Sequence, residues 1–158
     1  MHHKFKSTQL LRPSTIDKLM AELVSFILAV ASGVDVVART SFAVAQLIGE
    51  WKDAPAQIVS LSDEIKHFHD VTMKLKEFSS QLETCSRDDL YVAAISSLIH
   101  RAEPYWAQLQ NIIQSLTGPT GHLRKQKWLR VAHKVSSLQE KLRGLRLATI
   151  EVLSIHTA

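Results

Sequence analysis

Between Leu23 and Val34 only Ser25 and Ser32 are plainly polar. A run this apolar has to be covered, by other parts of the chain or by hydrocarbon, and any fold must offer one of the two. The pattern around it is helical: Leu23, Ile27, Val30, Val34, Val37, Val44, Ile48 and Trp51 fall at helical spacing over Ala21–Glu50 and the following residue. Small residues also recur every four positions, at Ala21, Ser25, Ala29 and Gly33, and again at Ser41, Ala45 and Gly49. Such a row lets helices approach closely, and in lipid it favours their association.

Three more helical stripes follow. The second starts after Asp53-Ala54-Pro55, where Asp53 suits a cap and Pro55 a first turn, and runs through Ile58, Leu61, Ile65, Phe68, Leu75 and Leu82. The third starts near Arg87-Asp88-Asp89 and carries Ile95, Leu98, Ala102, Tyr105, Leu109, Ile112 and Leu116. Thr117-Gly118-Pro119-Thr120-Gly121 reads as a turn. The fourth stripe is Trp128, Val131, Val135, Leu138, Leu142, Leu145 and Val152. With only 5 Gly and 4 Pro there is little turn chemistry left over, and no segment demands a strand. The pattern predicts an all-α fold: an antiparallel four-helix bundle forming one domain over residues 20–158. Pro104 interrupts the third stripe, so a kink or a short extra helix is expected there.

Residues 1–19 show no helical stripe, and Met20-Ala21-Glu22 reads as a fresh start. They are taken as a leader, native or added for expression. A secretory signal does not fit, because Ser, Thr, Pro and Asp separate the leader's bases from the apolar run. Charge is unevenly spread. Residues 122–158 hold eight bases against two acids, +6, whereas residues 50–89 hold five bases against nine acids, −4.

Chemistry-bearing motifs are missing from the sequence. It has no Ser/His/Asp set, no paired-carboxylate motif, no zinc spacing and no GxxxxGK[ST] loop. A non-enzymatic chain without cofactor or metal is expected. His67 and His69 diverge by about 200° on a helix, and Glu64–His67 is the one Glu-x-x-His pair on the second stripe, too few for a di-iron bundle site. The single Cys85 rules out an internal disulfide, suits a reducing cytoplasm and reads as a linker thiol. The basic start of the fourth helix, Arg124, Lys125, Lys127 and Arg130, has two readings. One is a solvated face paired with the acidic second helix. The other is contact with anionic lipid, at about 1 kcal/mol per base. No nucleic-acid motif accompanies it, so nucleic acid is not expected as a partner.

The apolar run can be costed as a membrane span. Leu23–Phe42 holds ten residues of the Leu/Ile/Val/Phe class, giving about −3 to −6 kcal/mol on an insertion scale. Asp35 at mid-span costs about 2.5 to 3.5 kcal/mol and Arg39, nearer the end, somewhat less. The sum lies near zero. One copy should stay out of the bilayer, whereas several copies could enter with Asp35 and Arg39 paired along one helix face. Leu23, Ser25, Phe26, Ile27, Ala29, Val30, Gly33 and Asp35 are the residues assigned to insertion and self-association. A buried core helix would show the same apolar run.

Met20-Ala21-Glu22, Asp53-Ala54-Pro55 and Ile58-x-x-Leu61-x-x-Glu64-Ile65, in that order and spacing, resemble the fungal HeLo-like N-terminal domain. The last helix, with Trp128, Leu138, Leu142 and Leu145, is similar to that family's Trp-containing final helix. The resemblance spans Met20–Leu153 and extends to the helical bundle of the mixed lineage kinase domain-like protein. It implies a domain that executes programmed cell death in fungal innate immunity and heterokaryon incompatibility. Such a domain is cytoplasmic and relocates to the plasma membrane, where it oligomerises and permeabilises. A NOD-like receptor or an amyloid-signalling partner would trigger it. The alternative is a non-lytic adaptor that couples such a receptor to protein partners.

Overall fold

A computed structural model describes residues 5–82, 89–119 and 122–157. Four long helices account for almost all of them: α1 (Phe5–Glu50), α2 (Ala56–Leu82), α3 (Asp89–Thr117) and α4 (Trp128–Thr157). A single 3-10 turn, Lys125–Lys127, leads into α4. No strand occurs among the described residues. The chain is an all-α four-helix bundle.

Each helix has two neighbours. α1 packs on α2 and α3, and α4 packs on the same two. Seen down the bundle, the order is therefore a square with α1 diagonal to α4 and α2 diagonal to α3. Side chains bridge both diagonals. Trp51, just past α1, meets Trp128 edge-on at 5.6 Å between ring centres. Phe78 of α2 meets Tyr91 of α3 at 4.4 Å. Burial at that contact pushes the Tyr91 hydroxyl pKa well above its ordinary value.

Most of the interior comes from the predicted stripes, joined by Phe26, Leu47, Val71, Tyr91 and Trp106, whereas Leu23, Ile27, Val34, Ile48, Tyr105 and Val152 of the stripes are half-buried. Ile65, Ile95, Leu116, Val135 and Leu142 are fully enclosed, and a stripe at alternating steps of three and four puts each on its helix's inner face. The side chain of Leu82 and the whole of Cys85 lie outside the described residues. At the start of α2 the Pro55 carbonyl accepts from the Ile58 and Val59 amides, so Pro55 sits just ahead of the helix. At the end of α3, Gly118 takes a positive φ of 63° and donates its amide to the Gln114 carbonyl at 2.8 Å. That is the glycine termination of a helix. The Arg124 guanidinium lies against the Gly118 backbone, in the space a Cβ would need.

Two expectations fail. The first helix was expected to begin near Ala21, but α1 begins at Phe5 and runs for 46 residues, about 69 Å at 1.5 Å per residue. Residues 5–20 carry no apolar stripe, yet a helix closes its backbone hydrogen bonds within its own segment. Second, the short extra helix expected at Pro104 does not form, and α3 is one continuous helix through that residue. Pro104 and His100 are both exposed, so water reaches the carbonyl that loses its donor.

One polar contact clamps the bundle. Glu64 of α2 is only 3% exposed and faces α4. Its carboxylate accepts from Arg146 Nε at 2.5 Å and from Arg143 Nε at 3.4 Å.

Candidate functional site: an outward apolar seam on α1

α1 carries two seams. The inner one is Phe26, Val30, Gly33, Val37, Thr40, Val44, Leu47 and Trp51, and all but the half-buried Gly33 are buried. The outer one is Val24, Leu28, Ala31, Asp35, Ala38, Phe42, Ala45 and Gly49, all exposed. Both follow a strict four-three alternation, the spacing of a helix–helix seam. Each outer position lies two residues from an inner one, or about 200° around the helix. So α1 is apolar on the face the bundle covers and on the face it leaves open.

The large outer side chains are well exposed: Val24 51%, Leu28 64% and Phe42 66%. At the centre of the seam the Asp35 carboxylate pairs with Arg39 Nη2 at 2.7 Å, within the helix and in solvent. That pairing matches the one the sequence predicts for this face. Within Ala21–Glu50, α1 is long and apolar enough to cross a membrane, and only 17% of its most apolar window is buried. A core helix of the same composition would be mostly covered.

The assigned residues divide between these faces. Ser25 and Asp35 are exposed, Phe26 and Val30 are buried, and Leu23, Ile27, Ala29 and Gly33 are half-buried. The small-residue row is not one contact line. Each step of four residues advances 400°, so the row turns about 40° per step. Ala21 and Ser25 therefore face water, whereas Ala29 and Gly33 turn toward the bundle.

Gly33 makes no close approach in this fold, since a Cβ built there meets nothing within 4 Å. Gly33→Ala should therefore stabilise the bundle by about 0.5–1 kcal/mol through backbone entropy alone. Urea denaturation checks this by a raised midpoint at constant slope.

The basic cluster lies at the other end of the molecule. Trp128 touches Trp51, and Trp51 is about 32 Å along α1 from Val30. Arg124 is half-buried over Gly118 and Lys127 is half-buried, while Lys125 and Arg130 are exposed. Insertion residues and basic residues do not form one surface. Glu64, the carboxylate of the Glu-x-x-His pair, is turned to the two arginines of α4, while His67 is exposed.

The stripe read from the sequence shares Val30, Val37, Val44 and Trp51 with the inner seam, its Leu23, Ile27, Val34 and Ile48 are half-buried beside it, and it contains no outer-seam residue. The signal was present: Val24, Leu28, Ala31, Ala38 and Phe42 carry the same alternation. It was hidden inside one continuous apolar band. No family model matches the chain, and no curated protein and no solved structure matches it either.

Proposed function

We propose that the chain is a non-enzymatic, membrane-targeting module whose α1 exchanges its place in the bundle for a place in a bilayer, together with other copies. The observation that carries this reading is the poor cover of α1's most apolar window, 17% buried within a span long enough to cross a membrane. Three things support it. The insertion sum for Leu23–Phe42 lies near zero. The Asp35–Arg39 pair already presents a neutral face at mid-span, which lowers the cost of both charges in lipid. The outer seam offers a ready contact for a second helix, so self-association and insertion use the same residues.

The resemblance to HeLo-like domains supplies the setting: a cell-death executioner in the cytoplasm that moves to the plasma membrane when a NOD-like receptor or an amyloid-signalling partner gathers it. Lys125 and Arg130, the exposed bases of the cluster, would meet anionic lipid as a second contact, separate from the α1 window. The test is dye release from liposomes with and without anionic lipid, read beside co-flotation. Release that rises steeply with protein concentration is the expected result. A protein that neither floats with liposomes nor releases dye at any concentration refutes it.

The adaptor reading is favoured by one feature, the four-three alternation of the outer seam, which equally suits a partner helix in water. It predicts partner binding by the seam with no flotation.

A further inference from the structure

Protein interiors hold few voids larger than a water molecule. Between α1 and α3, however, an open cavity of about 260 Å³ reaches into the bundle. Gly33 and Val37 of α1, Phe68 and Leu75 of α2, and Ile95 and Trp106 of α3 supply its apolar walls. Gly33 is part of the reason it exists, because the space in front of its missing Cβ is empty. Deeper in, Thr72 and Thr149 also line it, but their hydroxyls donate to the His69 and Leu145 carbonyls of their own helices. They leave the cavity little polarity. Polar groups gather at the mouth: Ser32, Glu103 and Gln110 line it and are exposed.

We propose that this cavity binds a single-chain amphiphile with an uncharged head, such as a fatty alcohol or a monoacylglycerol. Size and charge select the class. An apolar cavity of about 150 Å³ takes benzene, so this one takes on the order of ten carbons by proportion. A linear chain threads in from the open side. At the mouth, the Glu103 carboxylate, with His100 Nδ1 3.6 Å away on the same helix, places an acid where an anionic head such as that of a fatty acid would sit, while the Gln110 amide and Ser32 hydroxyl hydrogen-bond a neutral one. Because α1 forms one wall, an occupant holds α1 on the bundle. That consequence rests on the function proposed above, whereas the binding itself does not.

The test uses the whole chain in the absence of vesicles and 10-bromo-1-decanol as the probe, so it reads binding alone. Trp106 lines the cavity, while Trp51 and Trp128 pair with each other away from it. Contact with bromine should quench part of the tryptophan emission and saturate at one molecule per chain, and 1-decanol should raise the Tm. Decanoate should need at least about tenfold more ligand for the same Tm shift, a factor of ten being worth about 1.4 kcal/mol. Gly33→Leu should fill the space, abolish the saturable quenching and keep the wild-type circular dichroism. If that variant does not fold, Ala29→Leu fills the same cavity from the preceding turn. Quenching that never saturates, equal response to decanol and decanoate, or unaltered quenching in a folded cavity-filled variant overturns the proposal.

Discussion

Leu28→Lys protein should release no dye from liposomes while melting close to the wild-type temperature. Leu28 is 64% exposed on the outer seam, and lysine has nearly leucine's helix propensity, so stability should move by less than about 0.5 kcal/mol. In a bilayer the same change matters far more. Leucine favours insertion by about 0.5 kcal/mol, whereas a lysine within the span opposes it by up to about 3 kcal/mol. The difference of about 3 kcal/mol is on the order of a hundredfold in the insertion equilibrium of each copy, and it compounds in an oligomer. A span whose sum starts near zero has no reserve to absorb it. Dye release at the wild-type rate by a well-folded Leu28→Lys protein would show that this face never enters lipid.

Removing Arg146 should destabilise the bundle more than removing its partner. Glu64 is 3% exposed, whereas the Arg146 side chain is 18% and the Arg143 side chain 53% exposed. Arg146→Ala leaves a buried carboxylate with one longer contact to Arg143, a loss of about 3–5 kcal/mol. Glu64→Ala frees two long side chains whose charged heads reach water on their own stems. What is lost there is the charge-assisted hydrogen bonding, about 2–3 kcal/mol. The double variant Glu64→Met with Arg146→Leu should recover most of the loss, since an apolar pair of similar size carries no desolvation cost. Urea titrations of the three proteins decide this. Equal costs for the two alanine variants would mean that the clamp is not the buried contact its geometry describes.

The helical stripes were legible because periodicity depends only on helix geometry. Ile58, Leu61 and Ile65, or Val135, Leu138 and Leu142, fall on one face whatever their neighbours are, and all six are buried. What the pattern marks is the wish to be covered. It does not say which residues are covered, and α1 shows the difference. Val24, Leu28 and Phe42 belong to the same apolar band as Phe26, Val30 and Val44, yet the first three face water and the last three the core. Two seams two residues apart read as one wide stripe until the neighbours are known. The start of α1 was hidden for a different reason: residues 5–20 carry no apolar stripe, and a helix without one leaves no periodic trace in the sequence. The extra helix expected at Pro104 does not form, because the cost of a proline depends on whether water reaches the orphaned carbonyl, and sequence does not give exposure. The Glu64 clamp joins residues about eighty positions apart in the chain, and its only local trace is an acid beside the buried Ile65.

In the presence of a membrane α1 should leave the bundle. Nitroxide labels at Ala31→Cys on α1 and Lys74→Cys on α2, both exposed positions, in a Cys85→Ser background, report their separation by pulsed electron spin resonance. In solution the two labels should give one narrow distance set by the docked helices. On vesicles, at protein concentrations that release dye, the distribution should broaden and lengthen by more than a helix diameter, about 10 Å. An unchanged narrow distance on vesicles that are leaking would contradict the release of α1.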